Sequence, residues 1–272
     1  MGQQVENTPR ITINGSALTN VSSFKYLGST ISSTVSMDAE LTSRIGKATG
    51  VMSKLDKRVW TNKALTTHTK LRVYSACVIS TLLYGAEGWT LYAKEEKRLN
   101  SFHLRCLRRI LDIKWQQQIP DTEVLEKAKV PSIFALLKQR RLRWLGHLNR
   151  MPSSRLPRMM LYSELATGTR TPGRPLLRFK DVCKNDLKMT KIGTEHWQKY
   201  SMDRENWRHL VSTGVSDAES SRIALQKDKR DRRKNRQMHP TLYICSACSR
   251  DCHSRIGLHS HTRHCNVIPR ED

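Results

Sequence analysis

No two aspartates stand side by side anywhere in this chain, and no glycine-rich loop ends in Lys-Ser or Lys-Thr. Polymerases and many nucleases hold two divalent metals on paired carboxylates, so the absence argues against such a centre. Gly-x-Ser-x-Gly is missing too, and Pro120-Asp121, which invites a nuclease reading, is followed by no acidic-x-Lys pair at useful spacing. The acids present are scattered among basic residues, as caps and ion-pair partners would be. The chain therefore reads as non-enzymatic, with no catalytic residue and no small-molecule substrate. The N-terminal MGQQVENTPR lacks an apolar h-region, which argues against a signal peptide. The longest apolar stretch, Val73 to Leu83, is too short to span a bilayer and is interrupted by Ser75 and Ser80, so no membrane partner is expected. There is no internal repeat of solenoid length.

Acidic residues are few against the basic ones: 24 Asp and Glu face 48 Lys and Arg in 272 residues, a formal charge of +24. A field of that sign calls for a polyanion or an acidic membrane surface, and RNA or DNA is the default partner. The apolar fraction, 38%, is below the roughly 45–50% usual for a compact globule. That predicts a modest core in the first half with basic segments after it. Seven cysteines, an odd number with four near the C-terminus, point to metal binding in a reducing intracellular compartment, nuclear or cytoplasmic.

The periodicity predicts a mainly α chain. Asn14-Gly15 signals a short N-terminal β-hairpin, with a second short strand around Ser23 to Leu27 closed by Gly28. Leu41, Ile45, Ala48, Met52, Leu55 and Val59 then recur at helical spacing behind Ser36 as N-cap. The next helix, from Thr66 or Thr67 to Tyr84, is apolar on most sides and should lie at the centre of a bundle. A third, about Lys94 to Leu111, carries Leu99, Phe102, Cys106 and Ile110 on one stripe and Arg105, Arg108 and Arg109 opposite. Cys77 and Cys106 both read as core packing. Helices are expected over Asp121 to Lys129 and Ser132 to Arg150, then a loop-rich linker from Met151 to Pro175. Weaker helical signals around Glu195 to Leu210, with Trp197 and Trp207 packing, precede a charged helix. The implied divisions are 1–35, a β element; 36–116, a helical bundle; 117–215, a basic helical connector with a Pro/Gly linker; 216–240, a basic helix; and 241–268, a ββα zinc finger.

The sharpest motif is Tyr243-x-Cys245-x-x-Cys248, then His261 after twelve residues and Cys265 after three more. Two thiolates on a β-turn and two ligands about a helical turn apart give Zn²⁺ its tetrahedral shell. His264 is the alternative fourth ligand. Tyr243 and Leu258 occupy apolar positions of a ββα finger, while Cys252 stands where Phe is usual. A segment so small needs the metal to fold. Its base-facing positions are Ser254, Gly257 and Ser260, none able to make a bidentate base contact. Arg255, His259 and Arg263 remain for phosphate.

Upstream, Lys227, Lys229, Arg230, Arg232, Arg233, Lys234 and Arg236 form a basic run interrupted by two acids, and it suits phosphate binding, nuclear import or both. Arg140, Arg141 and Arg143 form a second patch beside Trp144, a residue read as core packing in preference to base stacking. Pro172-Gly-Arg-Pro175 reads as a plain linker.

Phe24-Lys-Tyr-Leu-Gly-Ser29, Leu82-Leu-Tyr-Gly-Ala-Glu-Gly-Trp89, Arg143-Trp-Leu-Gly-His-Leu-Asn-Arg-Met151, Gly173-Arg-Pro175 and Cys252-His-Ser-Arg-Ile-Gly-Leu258 with His261 follow one another in an order that resembles the C-terminal part of a non-LTR (LINE-type) retrotransposon reverse transcriptase. The resemblance implies that residues 1–35 are a palm remnant, 36–116 a thumb-like bundle, and the remainder a basic connector with a terminal finger. It implies that the family's catalytic aspartates and any endonuclease domain lie upstream of the matching region, as in a truncated element product. It carries over template or primer handling, not polymerase activity. Open beside this reading are a host zinc-finger regulator of DNA, a protein-interaction module and a relic of a decayed element. Oligomeric state, and the choice between RNA and DNA, are not legible in the residues.

Overall fold

Asn14 and Gly15, both at positive φ (50° and 79°), turn β1 (Thr12–Ile13) back onto β2 (Ser16–Ala17). Leu27 and Gly28, at 46° and 84°, do the same between β3 (Ser23–Tyr26) and β4 (Ser29–Ser32). Two positive φ values in succession are the mark of the tight hairpin turn that matches strand twist. The computed structural model describes residues 11–19, 21–33, 36–163, 173, 177–235, 243–252 and 254–265. Among these the chain is mainly helical, with two antiparallel hairpins near its start, the second pairing the strand expected around Ser23 to Leu27 with one that follows Gly28. It divides into two compact units, Met1–Ile223 and Ala224–Asp272.

In the first unit, α1 (Asp38–Lys54) buries Leu41, Ala48 and Met52, and Trp60 donates its indole N–H to the Met52 carbonyl at 2.7 Å. Its N-cap is Met37, although the Ser36 hydroxyl still accepts from the Asp38 amide at 3.2 Å. α2 (Thr67–Val73), capped by Thr66, continues through a π-helical stretch at Tyr74–Ile79 into α3 (Ser80–Leu82). This rod was expected at the bundle centre, but only one side is buried. Leu71, Tyr74, Val78 and Leu82, three and four residues apart, point inward while Ser75, Ala76 and Cys77 face solvent. Cys77 is thus a surface thiol, contrary to its expected core role, whereas Cys106 is buried.

α4 (Ala93–Ile110) buries the whole predicted stripe, and Arg108 and Arg109 on the other side pair with Asp121 and Asp56. α5 (Asp121–Ala128) and α6 (Ile133–Arg150) follow, the latter capped by the Ser132 hydroxyl on the Ala135 amide. The first core takes in Val124, Leu125, Ala128, Ile133 and Leu137, so it runs through α5 into the first half of α6.

The second half of α6 anchors a second core, built with α8 (Phe179–Met189) and a helix starting at Arg204. α7 (Leu156–Tyr162) and α9 (Trp197–Met202) pack at its edge. The charged helix expected from residue 216 begins twelve residues earlier, as α10 (Arg204–Lys234). Asp203 caps it by accepting from the Glu205 and Asn206 amides, and Trp207, Val211 and Val215 give its first half an apolar face. The linker Pro172-Gly-Arg-Pro175 lies outside the described residues apart from Gly173. No helix among the described residues is long and apolar enough to cross a membrane.

The first two family-like strings meet in space. Buried Glu40 accepts from Arg44 at 2.7 Å and from the Thr30 amide at 2.6 Å, and Arg44 reaches the Ser29 hydroxyl and lies over the Tyr84 ring. A Cβ on Gly85, itself at φ 74°, would sit 3.3 Å from the Ser29 hydroxyl. The 24–29 hairpin and the 82–89 turn are therefore held to one another through a buried ion pair on α1.

Candidate metal centre and basic surfaces

The C-terminal unit buries almost nothing apolar. Among its described residues only Cys245 is fully buried, and Tyr243 and Leu258 are half-exposed. Its backbone nevertheless makes a defined turn. The Cys245 amide donates to the Arg250 carbonyl, the Ser249 amide to Cys245, and the Cys252 amide to Tyr243, around an antiparallel bridge between Ile244 and Asp251. Ser249 takes a positive φ of 57° to close the turn. A short helix, α11 (Arg255–Thr262), follows, capped by the Ser254 hydroxyl on the Gly257 amide at 3.0 Å.

This frame brings Cys245, Cys248, His261 and Cys265 together, with all four ligand atoms within 4.8 Å of one another. Cys245 Sγ and Cys265 Sγ lie 3.9 Å apart, and Cys248 Sγ lies 3.0 Å from His261 Nε2. A tetrahedral zinc with ordinary Zn–S and Zn–N bonds places its ligand atoms about 3.5–3.8 Å from one another. Three thiols and an imidazole at this spacing fit such an ion and could hold it. His264, the alternative fourth ligand, is exposed and outside the cluster. The Cys248 and Ala247 amides aimed at the Cys245 sulfur draw its thiol down to about 6. At Cys248 the Arg250 amide favours the thiolate, but desolvation and the Cys265 and Cys245 sulfurs outweigh it and raise the thiol.

Two of the three expected base-facing positions are engaged inside the unit. Ser254 is the helix cap, and a Cβ on Gly257 would stand 2.4 Å from the Cys252 carbonyl oxygen, so residue 257 faces the hairpin. The outward side of α11 carries Arg255, Ile256, His259 and Ser260, with Ile256 85% exposed.

The basic residues fare differently from one another. Arg141 is not a surface cation: it is buried, with Nε 2.7 Å from Asp186 and a further contact to Glu96 at 3.6 Å. Arg140 is half-buried and shared between Glu87 and the Leu83 carbonyl. Arg143, expected in the same patch, is exposed. On α10, Lys227, Lys229, Arg232 and Arg233 are exposed, Arg232 pairing with Asp228, while Arg230 is half-buried. Lys234 ends the helix, and Arg236 lies outside the described residues. Unforeseen were Arg204 and Arg208, exposed on α10 one helical turn apart. Their i, i+4 spacing on either side of the inward Trp207 was the available signal.

Two relatives, both named as products of mobile elements, share parts of this chain. Over 163 residues it is 25% identical to a transposon-derived protein of Caenorhabditis elegans, covering 56% of this chain and 58% of that one. Over 175 residues it is 22% identical to the RNA-directed DNA polymerase from mobile element jockey of Drosophila funebris, covering 64% of this chain and 19% of that polymerase. The chain thus spans somewhat over half of the first relative and about a fifth of the second. These likenesses support a retrotransposon origin. No family model matches the chain, and no solved structure matches it.

Proposed function

We propose that this chain is a non-catalytic retroelement-derived protein that binds RNA or DNA mainly through phosphate contacts, with a zinc-organised module at its C-terminus. The single observation carrying the reading is the convergence of three cysteines and a histidine in a unit that has almost no apolar core. The metal would organise that unit, while the +24 formal charge of the chain supplies the attraction. Cys245, Cys248, His261 and Cys265 would hold the zinc. Lys227, Lys229, Arg232, Arg233 and Arg255 offer cations to phosphate beside it. The likeness to an RNA-directed DNA polymerase favours a polynucleotide partner over an acidic protein.

Low base discrimination follows from α11, where Ser254 is spent on a cap and Gly257 is turned toward the hairpin. The test is competition: zinc-loaded protein on a labelled oligonucleotide is challenged with unrelated sequences of the same length and strandedness. Equal displacement supports the reading. Strong preference for one sequence would instead identify a site-specific regulator.

A further inference from the structure

The string Arg143-Trp-Leu-Gly-His-Leu-Asn-Arg-Met151 splits cleanly in two. Leu145, Gly146, Leu148 and Asn149 are buried, and each has a packing reason. Gly146 lies under the Trp207 indole, and Asn149 donates to Ser201 and accepts from the Tyr162 hydroxyl. Arg143, Trp144, His147 and Arg150 stay at the surface, at i, i+1, i+4 and i+7 on one side of α6. Packing accounts for the first set; in the second, Arg150 donates to the Ser201 carbonyl and the Trp144 and His147 rings touch, while the outward side of the stripe has no assigned role.

α10 doubles this stripe. Trp207 donates its indole N–H to the Leu142 carbonyl at 2.9 Å, and α9, just before it, reaches Asn149 and Arg150 through Ser201. The chain therefore runs antiparallel to α6 here, with Arg208 beside Arg143 and Arg204 beside Arg150. These neighbours, after desolvation, lower the pKa of both α6 arginines, a sign of like charges held close; each guanidinium stays charged. Among the described residues Arg143, Arg204 and Arg208 form no ion pair. Of the acids around them, Glu87 pairs with Arg140, Asp203 holds the α10 cap and Asp181 pairs with Arg178, while Glu205 is exposed on α10 between Arg204 and Arg208, where three arginines still outnumber it. Between the two cationic pairs, the Trp144 and His147 rings sit 5.1 Å apart at 45°, and Trp144 borders a cleft of about 500 Å³ with Met160 and Phe179.

We propose that Arg143, Trp144, His147 and Arg150 of α6, with Arg204 and Arg208 of α10, form a binding site for a single-stranded polynucleotide. The arginines take successive phosphates, and an unstacked base enters against Trp144. Arg143 and Arg150, seven residues apart, stand about 10 Å apart along the helix axis, so the two cationic pairs bracket the aromatic one. A stacking ring needs an unpaired base, whereas the bases of a duplex already stack on one another, and this selects the single strand. The site rests on the nucleic-acid reading above and adds to it a location and a strandedness.

The test uses the full zinc-loaded chain with oligo(U), oligo(dT) and a duplex DNA of matched length. Arg143→Gln/Arg204→Gln/Arg208→Gln removes three exposed, unpaired cations, and Trp144→Leu removes the ring while keeping an apolar side chain. The triple variant is expected to melt as the parent does, lose roughly tenfold or more in single-strand affinity, and flatten the log–log salt slope by about 2. Trp144→Leu is expected to cost about tenfold on the single strands and nothing on the duplex. The tighter of oligo(U) and oligo(dT) names the sugar. Unchanged affinity and slope in the triple variant would overturn the site while leaving the general reading intact. Equal losses on single strand and duplex, with Trp144→Leu silent, would overturn the single-strand assignment. A parent protein that binds none of the three would overturn both.

Discussion

The Trp207 indole lies on Gly146 so closely that a Cβ at residue 146 would stand 2.2 Å from its Nε1, while the Nε1–H donates to the Leu142 carbonyl at 2.9 Å. This contact seats α10 on α6. Gly146→Ala must displace a fully buried indole and break its hydrogen bond, so it should destabilise the first unit by about 1–3 kcal/mol. Gly50→Ala, on open space in α1, should not. Urea melts of both variants check the contrast.

Arg141 and Arg143 are two residues apart on one helix and predict opposite phenotypes. Arg141→Leu leaves Asp186 buried without its partner and should cost about 3–5 kcal/mol of stability. Arg143→Gln should change stability by no more than about 0.5 kcal/mol while weakening polynucleotide binding. Thermal melts paired with binding isotherms separate the two roles.

His103 supplies a pH dependence. Its Nδ1 lies 2.8 Å from the Tyr74 hydroxyl in a fully buried setting, and burial draws the imidazole down to about 4. In the unfolded chain the same ring titrates near 6.5. Between those values the unfolded state binds the extra proton, so stability is complete above about pH 6.5 and is lost as the pH falls toward 4. The full displacement corresponds to roughly 3 kcal/mol. Urea midpoints for the parent should fall across this window, and His103→Leu should remove that part of the fall.

Period and spacing made much of this molecule legible. The Leu99–Ile110 stripe of α4 and the Ser132 cap of α6 follow from neighbours within a few residues, and the Cys/His cluster from a fixed ligand spacing confined to residues 245–265. What pattern missed depends on distant ones. Helical phase sets Arg141 in line with buried Leu137 and Leu145 and Arg143 away from them, but pattern could not supply the partner that lets a charge sit there, Asp186, 45 residues on. Cys77 lies off the inward stripe of Leu71, Tyr74, Val78 and Leu82, and its neighbours Val78 and Ile79 take the core positions; in a helix apolar on most sides, composition alone does not say which side is covered. Gly257 looked base-facing until the Cys252 carbonyl proved to fill the space where a side chain would go.

Metal removal should act on the C-terminal unit alone. With so little apolar burial there, a chelator should unfold residues 243–265 while the melt of the first unit stays in place; metal supplies about 10–16 kcal/mol in finger peptides. Cobalt(II) substitution should give thiolate charge-transfer bands that weaken in Cys265→Ser and persist in His264→Ala. The reverse pattern would reassign the fourth ligand. Gly257→Ala should weaken metal binding through its clash with the Cys252 carbonyl.

The salt dependence of binding by the zinc-loaded chain tests the central claim most directly. If about five cations meet duplex phosphates, log K falls with log salt at a slope of roughly −4 to −5, shallower per contact on single strands. A slope of that size, with little change between unrelated sequences, is the predicted result. A soluble, zinc-loaded protein that binds no polynucleotide at low salt, or binds with a slope near zero, would contradict it.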